Sequence, residues 1–242
     1  MQMFSYHARL LKEIFFPRRC CVCGDVIDTG CFCSVCRQEF ILCKEIVWGG
    51  NSATYQKMLT EARPMIAADV INRALVLYKY DGKLKWMLQK IKFDADASLL
   101  HLLAEEAQFA LTRKFKYLLS SADLIICIPT SADRQARRGF DVPGEIFAFL
   151  KNVCGNKKFR CSPLSRNRRT NPLYELDAEQ RRCELAGCFA LSEAISVEGK
   201  NIFLCDDILT TGQTAVEAAR ILLEAGAASV DFIGFAAAQS NW

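Results

Sequence analysis

The chain has 242 residues, 51% hydrophobic and 24% charged, which suits one ordinary domain core plus a small module and excludes global disorder. A net charge of +4 permits a nucleic-acid partner without arguing for one, so the placement of charge matters more than its sum. No apolar run is long enough to span a bilayer, and the segment from Met1 to Phe16 lacks the long apolar stretch of a secretory signal.

In chain order, Phe4, His7/Ala8, Leu11 and Phe15 recur at helical spacing and predict an amphipathic helix. It either packs on its own domain or serves as a membrane-surface or partner helix. Seven of the thirteen cysteines then crowd between Cys20 and Cys43. Cys20-x2-Cys23 and Cys33-x2-Cys36 are two CxxC pairs, and two thiolate pairs on tight turns can complete the S4 tetrahedron of a structural zinc ion. Gly24 follows the first pair, where such a turn calls for positive φ. Cys21 and Cys31 leave other registers open, and an iron–sulfur cluster or a set of free buried thiols are the competing readings. Four closed ligands leave no position for catalysis, so the metal is read as structural.

From Arg73 the pattern becomes α/β. RALVLYKY (73–80) reads as a strand, Asp81-Gly82 as a turn, and Leu84, Met87, Leu88 and Ile91 as one face of a helix whose Lys85 and Lys92 are read as a solvated side. A second helix is expected over about 98–112. LIICI (124–128) is a strand covered on both faces, followed by a polar loop, PTSADRQARRGFD, and a helical stretch from about Val142 to Asn152. NIFLC (201–205), a helix over 214–225 and VDFIGFAAA (230–238) complete the alternation, which predicts a mostly parallel sheet with helices on both faces. The domains are read as residues 1–45 for the N-terminal helix and zinc module, 46–72 for a linking helical segment, and 73–242 for the α/β body.

Ligands in such sheets bind beyond the carboxyl ends of the strands. Residues 202–214, IFLCDDILTTGQT, place two acids and then Thr-Thr-Gly-x-Thr at the opening of a helix. Gly212 lets backbone N–H groups converge on an anion, the helix N-terminus adds its positive end, and Thr210, Thr211 and Thr214 add hydroxyls, with Gln213 in the same turn. Asp206 and Asp207 suit sugar hydroxyls or magnesium. Phosphate on one side and hydroxyls on the other describe a ribose 5-phosphate. Arg134, Arg138 and Gly139 follow the strand ending at Ile128, where arginines could neutralise a pyrophosphate. Residues 151–182 hold nine Lys/Arg, among them Lys157, Lys158, Arg166, Arg168, Arg169 and Arg181, against three acids. That basic segment is read either as a flap over the phosphate pocket or as a track for a single-strand backbone, with few aromatics for stacking.

The Asp-Asp-x-x-Thr-Thr-Gly-x-Thr loop resembles the signature of type I phosphoribosyltransferases. By that likeness Asp206 and Asp207 hold the ribose hydroxyls and residues 210–214 the 5-phosphate. Together with the CxxC pairs, KYDGKLKWMLQKIKF (79–93), IPTSADRQARRGFD (128–141) and LSRNRRTNP (164–172), the chain over about 15–238 resembles the ComF/ComFC competence family, a phosphoribosyltransferase-like fold with an N-terminal zinc module. The resemblance implies phosphoribosyl pyrophosphate with magnesium as ligand and a role in natural transformation, moving single-stranded DNA with a helicase-like competence ATPase. It also implies a cytoplasmic location, with peripheral association at the inner face of the membrane as a further expectation. An active magnesium-dependent phosphoribosyltransferase of nucleotide metabolism is the alternative. Asp141, Leu173 and Glu184 depart from the usual family residues, which are Asn, Gln and Asn.

Overall fold

The computed structural model describes residues 15, 17–28, 32–46, 70–114, 116–155, 159–160, 163–167, 187–210 and 212–237. The expected N-terminal helix, apart from Phe15, and most of the 46–72 segment lie outside them.

The body is a six-stranded sheet in the order β1-β2-β8-β7-β3-β4. These strands are β1 (Ile41–Ile46), β2 (Ala74–Lys79), β3 (Leu124–Cys127), β4 (Phe159–Arg160), β7 (Asn201–Leu209) and β8 (Ser229–Ala237). β1 runs antiparallel to β2, and every other neighbouring pair is parallel. β5 (Leu164–Arg166) and β6 (Phe189–Leu191) form a separate antiparallel hairpin.

β3 is buried along its whole length, as expected of a strand covered on both faces. Alternation splits the apolar residues into two cores. Leu75, Leu77, Ile125, Phe203 and Cys205 pack on one side with Leu84, Met87, Leu88 and Ile91 of α2 (Gly82–Asp94) and Leu103 of α3 (Ala97–Lys114). Val76, Ile126, Ile202, Leu204 and Phe232 pack on the other with Ala218, Ala219 and Leu222 of α8 (Gln213–Glu224) and with Leu164 and Phe189 of the hairpin. Cys20, Phe32 and Cys36 belong to the first core, so the cysteine module, with α1 (Ser34–Phe40), is packed on the sheet's α2 side. Arg18 donates to Glu105 at 3.1 Å, and Lys83 Nζ donates to the carbonyl of Val22 across the same seam. α4 (Lys116–Ser121) leads into β3.

Three local expectations change. β7 runs to Leu209 instead of ending at Cys205, because its pairing with β8 continues through Ile208 with Ala236 and Leu209 with Ala237. The residues read as a polar loop after β3 form a short helix, α5 (Ala132–Arg138), closed by Gly139 at φ +83°. The 142–152 stretch is two short helices, α6 (Val142–Ile146) and α7 (Leu150–Cys154). Between them the bonds tighten to i→i+3, Ala148 to Glu145 and Leu150 to Phe147, while Phe147 is fully buried. Among the described residues no helix is long and apolar enough to cross a membrane.

Candidate functional site

The site is built where β7 leaves the sheet. Asp206 and Asp207 are the sixth and seventh residues of that strand and not part of the following loop. Successive strand residues face opposite ways, so the two carboxylates make different hydrogen bonds within the chain. Asp207 turns to α2 and is buried against Lys92, whose Nζ stands 2.8 Å from Oδ2 and 3.0 Å from Oδ1. Arg138 at the end of α5 donates its Nε to the Lys92 carbonyl at 2.6 Å, tying the helix after β3 to the same corner. Asp206 accepts the Asp207 backbone N–H at 2.8 Å.

Charge is concentrated here. Burial, and then the neighbouring Asp207 carboxylate, push the Asp206 carboxyl well above its usual range, with Lys92, the Asp207 N–H and Arg166 pulling partly back. Burial and the charge of Asp207 also raise the Tyr80 phenol. Burial lowers the Arg138 guanidinium, and Asp207 acts against that fall while Arg134 and Arg137 add to it. Asp206, Asp207, Lys92, Arg138 and Arg166 therefore act on one another electrostatically at this corner.

The turn follows at once. Thr210 is exposed at the end of β7, Gly212 is buried at φ +77°, and Gln213 and Thr214 open α8. The positive φ is the conformation that lets successive N–H groups face inward, and only glycine adopts it readily. Thr211 lies outside the described residues. The hairpin borders the site from the far side: Arg166 stacks on Phe189 at 5.2 Å, and Glu217 of α8 accepts the Gly187 N–H at 2.8 Å. A cleft of about 510 Å³ opens there, lined by Thr130, Gly139, Asp141, Lys151, Ser165 and Arg166. Arg134 lies with Arg138 on α5. Lys157, Lys158, Arg168, Arg169 and Arg181 lie outside the described residues, as do Leu173 and Glu184.

Asp141 has a structural use. Its Oδ1 accepts the Thr130 N–H at 2.8 Å and its Oδ2 the Gly144 N–H at 3.1 Å, capping α6 and holding the turn after β3. Sequence reasoning missed Lys92, Tyr80 and this cap. Lys92 was legible in part: it directly follows Ile91, at the border of the buried face of α2, where a half-buried ammonium calls for a partner.

The N-terminal module brings Cys20, Cys23, Cys33 and Cys36 together, with all four ligand atoms within 4.8 Å of one another. Cys23 and Cys33 sulfurs are 3.7 Å apart, near the edge of about 3.8 Å that a tetrahedron with zinc–sulfur bonds of about 2.3 Å requires. The knuckle is closed by Gly24 N–H to the Cys20 carbonyl at 2.9 Å, with Gly24 at φ +82°. Burial works upward on the Cys20 thiol, but the backbone groups of Cys23, Cys33 and Val22 outweigh it and bring it down to about 6, while the neighbouring Cys23 and Cys36 thiols are raised. The donor set fits a metal ion. At the opposite, amino-end edge of the sheet, Arg73 and Asn72 hold Asp231 at 2.5 and 3.1 Å, so the smaller cleft there is internally paired.

Residues 164–242 match the family model described as a phosphoribosyl transferase domain. The chain is 29% identical to the DNA utilization protein YhgH of Salmonella typhimurium over 206 residues, 82% of this chain and 86% of that protein. It is 29% identical to the competence protein ComFC of Bacillus subtilis over 159 residues, 63% of this chain and 59% of that protein. With ComFC of Streptococcus pneumoniae the identity is 30% over 159 residues, 64% of this chain and 63% of that protein. Fold, turn and cysteine cluster define a phosphoribosyltransferase-type α/β domain carrying a four-cysteine module. The chain is thus similar to competence protein ComFC and to DNA utilization protein YhgH, in keeping with the expected ComF/ComFC resemblance.

Proposed function

We propose that this protein binds phosphoribosyl pyrophosphate, or a ribose 5-phosphate group, with magnesium at the β7–α8 corner, and acts in natural transformation by handling or importing single-stranded DNA. The observation that carries the reading is the succession Asp206, Asp207, Thr210 and the positive-φ Gly212 at the opening of α8. Asp206 and Asp207 take the sugar hydroxyls or magnesium, and residues 210–214 take the 5-phosphate. Arg134, Arg138 and Gly139 take the pyrophosphate end. Zinc at Cys20, Cys23, Cys33 and Cys36 supplies folding energy to a segment too short for its own core. The names of the relatives, competence and DNA utilization proteins, support the DNA role. A helicase-like competence ATPase is the expected protein partner, in the cytoplasm or at the inner face of its membrane.

A second reading is a magnesium-dependent phosphoribosyltransferase, favoured by the 510 Å³ cleft beside Arg166, which has room for an acceptor. Magnesium would supply charge neutralisation of the leaving pyrophosphate; the chain's own part is to orient the ribose and exclude water. Pyrophosphate release is then measured across the nucleobases: turnover with any base supports the enzyme, and none supports a binding role. Titration of an oligothymidine with and without phosphoribosyl pyrophosphate tests the first reading. An affinity that falls with salt and shifts when the small ligand is present supports it, and an affinity indifferent to both overturns it.

A further inference from the structure

The helix that delivers Lys92 to the site has a second face. α2 buries Leu84, Met87, Leu88 and Ile91, yet Trp86 is 50% exposed and Phe93 68%. Seven residues separate them, two helical turns or about 10.5 Å, so both lie on one solvent-facing line. Gln89 and Lys90 stand to either side of that line, each roughly 50° from it. Lysines flank it on both sides: Lys85 and Lys92 on one edge, Lys83 and Lys90 on the other, each pair again seven residues apart, with Lys83 held by the Val22 carbonyl, Lys90 by Asp94 and Lys92 by Asp207. An outward Trp and Phe contribute nothing to the core of a helix whose buried face is already complete.

We propose that this face of α2 is a stacking platform for single-stranded nucleic acid that leads into the Asp206–Asp207 corner; the inference rests on the reading that the protein handles single-stranded DNA. Aromatic faces take bases of any sequence, and a row of ammonium groups on either side tracks the sugar–phosphate backbone. The Lys85–Lys92 edge runs to the site. Lys85 Nζ stands 6.0 Å from the centre of the Tyr80 ring, and Lys92 is the residue paired with Asp207. At the other end Lys83 donates to the Val22 carbonyl, so the cysteine module borders the platform and sets where a strand enters. A lipid surface is the poorer match, because the broad apolar face of this helix is already spent on the core and only two aromatics, about 10.5 Å apart, face outward. A protein partner would need a contiguous apolar patch that this spacing does not offer.

The test uses the full zinc-loaded chain and a fluorescent oligothymidine of about 20 nucleotides, read by anisotropy between about 50 and 200 mM salt. W86A/F93A is expected to weaken binding tenfold or more with the salt slope unchanged, and W86Y/F93Y to restore it. K85Q is expected to reduce the salt slope by roughly 0.7, the share of one single-strand phosphate that is no longer neutralised. Calorimetry with phosphoribosyl pyrophosphate is expected to be unchanged in W86A/F93A, which also controls for folding. Oligonucleotide binding by W86A/F93A within twofold of wild type overturns the platform while leaving the DNA reading intact. No salt-dependent binding by wild type overturns the DNA reading and the platform together. Loss of binding to phosphatidylglycerol vesicles in W86A/F93A, with DNA affinity kept, overturns the platform and assigns the face to a membrane.

Discussion

Lys92 Nζ stands 2.8 Å from Asp207 Oδ2, an ion pair joining the last turn of α2 to the end of β7, with the carboxylate only 9% exposed. The same lysine's carbonyl receives Arg138, so three segments distant in sequence meet at one corner. Lys92 thus supplies the positive charge that faces Asp207 in this structure.

Lys92→Met is therefore expected to cost about 3 kcal/mol, between the roughly 1–3 kcal/mol of an unpartnered buried acceptor and the larger loss of breaking a buried ion pair. For a chain of this size that is a fall in Tm of roughly 2–4 °C per kcal/mol. A thermal double-mutant cycle with Asp207→Asn checks it: a coupling above about 0.5 kcal/mol is expected, and additivity contradicts the pair.

Asp206 tests the electrostatics in the opposite sense. Burial and then Asp207 raise its carboxyl in the folded protein. A carboxyl raised on folding favours the folded state fully below its unfolded value of about 4, and that advantage is lost as pH rises toward the folded value. Asp206→Asn removes the penalty, so its Tm is expected to exceed wild type at pH 7, with the gap closing below about pH 4. A gap that stays constant across the pH range contradicts the account.

Gly212 is held at φ +77° at the entrance to α8. Gly212→Ala places a side chain in the left-handed region at a cost of roughly 1–2 kcal/mol. Beyond that loss of stability, phosphoribosyl pyrophosphate binding is expected to disappear, because the turn must open to relieve the strain. Calorimetry with unchanged affinity contradicts the role of the turn.

Cys20 and Cys36 pack in the same core as Leu84 and Leu88. Metal loss is therefore expected to lower the stability of the body and not only of the module. Cys36→Ser should bind less than one zinc per chain by elemental analysis and unfold roughly 5–10 °C lower, as for a loss of about 2–3 kcal/mol. An unchanged Tm after complete zinc removal contradicts this coupling.

Much of this was legible from local pattern. LIIC and IFLC are apolar without interruption, and the CxxC pairs carry their geometry in their spacing. What escaped was set by distant partners. Whether β7 stops at Cys205 or Leu209 is decided by how far β8 accompanies it, and Ile208 and Leu209 read equally well as loop. The arginine-rich run after β3 has no apolar face to announce a helix, and α5 buries none of its residues. Lys92 looked solvated because nothing in α2 itself reveals an acid on a strand more than a hundred residues away. Asp141 read as a departure at a ligand face, and in the fold its carboxylate caps α6.

The central claim is that the acids of β7 and the turn before α8 hold a ribose 5-phosphate. Titration calorimetry of phosphoribosyl pyrophosphate with magnesium into the zinc-loaded protein tests it most directly. One site per chain is expected in wild type, with no measurable heat in Asp206→Ala/Asp207→Ala of unimpaired fold. Absence of binding by wild type, or equal binding by the double variant, would contradict it.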